Sequence, residues 1–118
     1  MRVVLLSGKS NNSTYERASY DTVLDENVWL HLVGTYDGRG GTSACDGIEL
    51  YLDGELLTVV RSGSGTYVAM ENLDSDVLIG RYSTTYANGQ IADIKIWGKE
   101  LSSTEVLQIY QSEIRRYQ

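Results

Sequence analysis

Cleaving a glycosidic bond takes two carboxylates flanking it, roughly 5 to 9.5 Å apart. On a strand, acidic residues at i and i+2 or i+4 share a face and meet that spacing. Glu49 and Asp53 are the nearest match. Asp53, however, opens an Asp-Gly turn, and Glu49 falls on the outward face of the alternating run Ile48-Glu49-Leu50-Tyr51-Leu52. Asp74 and Asp76 fall in a polar stretch that reads as a loop. No acidic pair has a second catalytic signal beside it, so the residues favour a protein that does not cleave. Nucleophilic catalysis fares no better. A reactive Cys needs a base, and the one His, His31, lies in a strand pattern, whereas the one Cys, Cys45, lies in a glycine-rich loop. A single Cys also excludes an internal disulfide and leaves the redox compartment open.

Binding chemistry has better candidates. Sugars are held by aromatic faces that stack on C–H groups and by planar polar groups that meet hydroxyls. The loop Arg81-Tyr82-Ser83-Thr84-Thr85-Tyr86-Ala87-Asn88 offers both, so Arg81, Tyr82, Tyr86 and Asn88 are the candidate ligand-binding residues. The plainer alternative is that Tyr stands in for Phe, since the chain has 9 Tyr, 2 Trp and no Phe. A Ca²⁺ ion would need several oxygen ligands. Asp37, Asp46 and the carbonyls of the loop between them are the candidates. Asp37-Gly38 and Asp46-Gly47 are also ordinary turn dipeptides, and the balance favours turns. No cofactor is therefore expected, Ca²⁺ being the ion if one is held. Trp29 and Trp97 lie inside strand patterns and are expected in the core. His31 is expected to be a structural hydrogen-bonding residue.

The elements that must carry these residues read as strands. Val3–Leu6 is a short apolar run, and Tyr15–Leu24 reads as one or two exposed strands. Val28–Tyr36 is apolar on both faces, as in a central strand. Ile48–Leu52 and Glu55–Val60 flank Asp53-Gly54, the strongest short signal for a hairpin, whose turn needs positive φ at both positions. Thr66–Ala69, Val77–Gly80 and Gln90–Trp97 also read as strands. After them the period changes. Ser102-Ser103-Thr104-Glu105 is a capping box, and Leu107, Tyr110, Ile114 and Tyr117 form the stripe of an amphipathic helix. Short strands closed by one helix predict an all-β fold of two antiparallel sheets with one short C-terminal helix, as a single domain over residues 1–118.

Charge and composition exclude several partners. The 118 residues carry 10 Lys and Arg against 16 Asp and Glu, a net charge of -6. Such a surface repels phosphate backbones, which argues against nucleic acid. No run of apolar residues is long enough to span a membrane or to form a signal-peptide core; the compartment stays unknown.

Four segments in order carry a resemblance. They are Val28-Trp29-Leu30-His31-Leu32-Val33-Gly34-Thr35-Tyr36-Asp37-Gly38, then Ile48–Leu56 around Asp53-Gly54, then Leu78-Ile79-Gly80, then Gly89–Trp97 with Leu101–Val106. Together they resemble concanavalin A-like lectin/glucanase domains of the laminin-G-like type. The resemblance implies a two-sheet jelly-roll sandwich. It implies a non-catalytic lectin-like module that binds carbohydrate, often with Ca²⁺. The alternatives are a structural or assembly module that binds another protein chain and, further off, a polysaccharide-cleaving enzyme. Ala92 stands where members often carry an acidic residue, and the neighbouring Asp93 falls on the other face of a strand. The opening strands that members place before a segment such as Val3–Leu6 are absent. Two sheets so shortened leave edges and part of the core face open, which predicts a homodimer through the strand at Val3–Leu6 or the sheet beside it.

Overall fold

The computed structural model describes residues 3–8, 14–70, 74 and 76–118, the side chains of 3–8 and 82 excepted. Two three-stranded antiparallel sheets dominate it. The first has the order β1 (Val3–Gly8), β2 (Tyr15–Tyr20), β6 (Val60–Ser64). The second has the order β3 (Leu32–Tyr36), β4 (Ile48–Leu52), β5 (Glu55–Leu56). A separate hairpin joins β7 (Arg81–Tyr82) to β8 (Thr85–Tyr86). The helix α1 (Ser103–Glu113) follows and runs into a 3₁₀ turn at Ile114–Arg116.

Period-two alternation decides how the layers stack. On β4, Ile48 and Leu50 are buried, and Ile48 packs with Ala18 of β2 and with Cys45. Tyr51, on the opposite face, packs with Leu101 and Val106 at the start of α1. One strand thus separates two small cores, the first against the other sheet and the second against the helix. β2 pairs on both sides, Ala18 opposite Leu5 and Arg61. It is a central strand with Glu16, Ala18 and Ser19 buried, not the exposed strand that the sequence suggested.

The Asp53-Gly54 turn has the expected geometry, with φ of 51° and 81°. Only glycine fits its second position. A methyl there would stand 2.9 Å from Leu107 Cδ1 and 3.1 Å from Tyr110 Cδ1. The turn is therefore wedged under the helix as well as reversing the chain. The capping box is complete: Ser102 Oγ accepts from the Glu105 N–H, and the Glu105 carboxylate accepts from the Ser102 N–H.

Several expectations are corrected. The strand predicted over 28–36 covers only Leu32–Tyr36. Residues 66–69, 77–80 and 90–97 lie in no strand; they are apolar enough for strands, but among the described residues no neighbouring strand completes a ladder with them. Trp29 and Trp97 are each 39% exposed rather than in the core. The buried face of α1 is rotated by one residue from the predicted stripe. Val106 is fully buried and Ile109 packs beside it, whereas Leu107 is 40% exposed. Leu107 instead rests its side chain on the Gly54 turn.

Candidate functional site

The β7–β8 hairpin carries the residues expected to bind a ligand. Arg81 pairs with Tyr86 and Tyr82 with Thr85 across a two-residue turn, whose Ser83 takes the positive φ of 53° that so tight a reversal requires. The stem continues one step further, the Ala87 N–H donating to the Gly80 carbonyl at 2.7 Å. Tyr86 is 66% exposed. The Arg81 guanidinium carbon stands 5.3 Å from the centre of its ring, and Arg81 Nε donates to the Ser83 carbonyl at 2.8 Å. The arginine is thus fixed against one face of the tyrosine, a cation–π contact that orients the ring. Asn88 is exposed just beyond β8. The structure brings Arg81 and Tyr86 together; the side chain of Tyr82 lies outside the described residues.

The loop after β3 is differently disposed. Asp37 is claimed by Arg39, which donates to it from its backbone N–H at 2.9 Å and from Nε at 2.8 Å. Those bonds hold the Asp37 carboxyl below the usual carboxylate range. Asp46 is exposed. Residues Gly41–Gly47 form a 3₁₀ turn where the glycine-rich sequence predicts a loop. Arg61 of β6 pins that turn, donating to the Cys45 and Ile48 carbonyls and pairing with Glu49 at 3.0 Å. Buried Glu16 accepts from the Cys45 N–H at 3.1 Å. Burial, with Glu16 alongside, pushes the Cys45 thiol up to about 11, so the thiol stays protonated and inert.

The other carboxylates are also engaged. Asp53 Oδ1 accepts from the His31 N–H at 2.8 Å, and Glu49 belongs to Arg61, so the Glu49–Asp53 pair does not face an open cleft as two free acids. The sequence missed a cluster at the base of the helix. Buried Glu113 pairs with Lys95, and its other oxygen lies 3.8 Å from His31 Nε2. His31 Nδ1 is buried with no hydrogen-bond partner, and burial lowers the imidazole's pKa. Next to it, Tyr117 Oη donates to Asp93 at 2.7 Å, and the Tyr117 ring packs 4.7 Å from Trp29. Spacing did hold one signal. Val106, Ile109 and Glu113 recur at three and four residues, which puts an acid on the buried stripe. Asp93, at φ 51°, is aimed at the helix end.

A shallow groove of about 370 Å³ runs between Trp97 and the helix, lined also by Lys99, Glu105, Gln108 and Ser112. Most of its polar groups are already used: Lys99 pairs with Glu105, Glu105 closes the capping box, and Ser112 donates to the Ile109 carbonyl. Among the described residues no group of three or more His, Cys, Asp or Glu could hold a metal ion, and no helix is long and apolar enough to cross a membrane.

Comparison with known proteins agrees with the architecture. A solved structure, that of an S-layer domain-containing protein (residues 221–444) from Clostridium thermocellum, superposes with a TM-score of 0.52 at 20% identity. The match covers 82% of this chain and 51% of that one, so the chain spans about half the length of that neighbour. A search of curated proteins finds no match. The laminin-G model of the concanavalin A-like lectin/glucanases superfamily matches residues 3–107. With that match, the order of its motifs and two antiparallel sheets closed by one helix, the chain belongs to the concanavalin A-like lectin/glucanases superfamily.

Proposed function

We propose that the protein is a non-catalytic, lectin-like binding module that takes carbohydrate at the β7–β8 hairpin, on a sandwich with jelly-roll connectivity. The observation that carries this reading is Tyr86: a ring 66% exposed, on a closed two-residue hairpin, with a guanidinium laid against it. One ring face is backed by Arg81 and the other is free to stack on the C–H face of a sugar. Arg81 and Asn88 supply planar donors and an acceptor for hydroxyls. Binding is preferred over cleavage because Glu49, Asp53 and Glu113 already have partners within the fold. Titration of the chain with a panel of saccharides tests the reading. Binding at millimolar Kd, lost in Tyr86→Ala without a change in melting temperature, is the expected result. No binding by the native chain at millimolar sugar ends it, as does an equal loss of stability in Tyr86→Ala.

A second reading, a structural or assembly module, is favoured by a different observation. Val77, Leu78, Ile79, Ile91, Ile94 and Ile96 are all at least half exposed, and so large an apolar surface usually meets another chain. The structural neighbour belongs to an S-layer domain-containing protein, which is compatible with such a role. The two readings use different surfaces and can hold together.

A further inference from the structure

Four steps in the chain place an acidic or amide side chain directly before glycine: Asp37-Gly38, Asp46-Gly47, Asp53-Gly54 and Asn88-Gly89. At such a step the glycine nitrogen can turn onto the preceding side-chain carbonyl carbon, because no Cβ holds it off. The fold treats the four differently. Asp37 is held by the Arg39 backbone N–H and Nε, and its carboxyl stays ionised, a poor electrophile. At Asp46-Gly47 the glycine is fixed: its carbonyl accepts from the Asp37 N–H at 3.1 Å, and a methyl on it would meet the Asp37 carboxylate. Asp53 accepts from the His31 N–H, and Gly54 lies under Leu107 and Tyr110.

Asn88-Gly89 has none of these restraints. Residues 83–90 are exposed throughout, and the chain bends at both Asn88 and Gly89. Nothing lies within 4 Å of where a Cβ on Gly89 would stand. Among the described residues, neither the Asn88 carboxamide nor the Gly89 N–H has a hydrogen-bond partner. The last bond of the hairpin stem, from the Ala87 N–H to the Gly80 carbonyl, ends just before them. A carboxamide is neutral at every ordinary pH, so unlike the three carboxylates it stays open to attack. Asn27 is exposed as well, but the branched side chain of Val28 shields the nitrogen that would attack it.

We propose that Asn88 is a site of spontaneous deamidation, carried out by the backbone nitrogen of Gly89. That nitrogen gives its proton to solvent base and attacks Asn88 Cγ. The new C–N bond closes a cyclic imide, the Cγ–Nδ2 bond breaks, and the nitrogen leaves as ammonia with a proton from water. Water then opens the imide at either carbonyl. One opening gives aspartate; the other gives isoaspartate, with the main chain rerouted through the side-chain carbon. Either product adds a negative charge to a chain already at -6, beside the hairpin that holds Arg81 against Tyr86. It also removes the amide donor that the carbohydrate reading gives to Asn88. That consequence rests on the carbohydrate reading; the modification itself does not.

Peptide mapping by mass spectrometry tests it on the native chain held in warm, mildly alkaline buffer. The peptide carrying Asn88 should gain the amide-to-acid mass difference and split into two chromatographic products, while Asn27 keeps its amide. The rate should rise with pH, since the deprotonated nitrogen attacks. Gly89→Ala should slow the conversion about tenfold; the open space around Gly89 lets this variant fold, which far-UV circular dichroism checks. Independently of any variant, the native rate should lie within about threefold of the rate in the urea-unfolded chain, because the fold leaves this step open. An Asn88 that keeps its amide overturns the proposal. So does a rate unchanged in Gly89→Ala, an Asn27 that converts as fast, or a native rate more than about threefold below the unfolded one. The readout is mass and not sugar binding, so failure of the carbohydrate reading leaves the result intact.

Discussion

Ile48 and Ile96 are the same residue in two different physical situations. The first is 1% exposed, between the sheets; the second is 81% exposed. Each represents its region. Residues 14–60, with β6 and the segment Leu101–Glu113, hold the two cores, most of the paired strands and the network of Arg61, Glu16 and Cys45. In residues 66–100, by contrast, Tyr67 is the one buried residue among those described. Yet Val77–Ile79 and Ile91–Trp97 are as apolar as β4. Hydrophobic sequence is therefore not the same as hydrophobic core. An apolar strand becomes core only when a second layer takes it out of water, at roughly 25 cal/mol per Å² covered.

The largest expected effect tests that contrast. Ile48→Ala should cost about 3 kcal/mol, as for a buried Ile truncated into a cavity. In the dilute chain Ile96→Ala should stay within about 0.5 kcal/mol. Chemical denaturation of both variants measures the difference, and equal costs in dilute solution would erase the distinction between the regions. Next comes the helix. Val106→Ala should destabilise by about 2 kcal/mol, and Leu107→Ala by about 1 kcal/mol, because Leu107 keeps part of its surface in water. The reverse order would restore the stripe read from the sequence and rotate the helix.

The smallest effect is the pH dependence at His31. Burial disfavours its imidazolium, so its folded pKa lies below the ordinary 6.5. The unfolded chain then binds the proton first as pH falls. The contribution of His31 is complete above the ordinary pKa and declines as pH drops through it toward the folded value. Melting temperatures between about pH 7.5 and about pH 5.5 should show the decline, and His31→Gln should flatten it. A steeper slope in the variant would mean that other groups dominate.

Local chemistry made part of this molecule legible. Asp53-Gly54 declared a hairpin because positive φ at two adjacent positions is cheap for few other pairs, and Ser102-Ser103-Thr104-Glu105 declared a helix start because both halves of the cap lie within four residues. The exposed Tyr86 followed from a polar loop between apolar runs. Alternation at residues 48–52 gave β4 and its two faces. These signals reach only a few residues along the chain, so the sequence alone determines them.

Whether an alternating segment becomes a strand is decided elsewhere, because a ladder needs hydrogen-bonding groups from a distant segment. β2 acquired neighbours on both sides and became central; residues 90–97 acquired none among the described residues, and Asp93 and Lys95 went to the C-terminal helical segment instead. The same holds for side chains with partners far off in sequence. Glu113 meets Lys95 and His31, and Arg61 meets the carbonyls of Cys45 and Ile48. The residue types and their periodicity were written in the chain, but only the tertiary structure chose which apolar faces were covered, since burial depends on what packs from outside the segment.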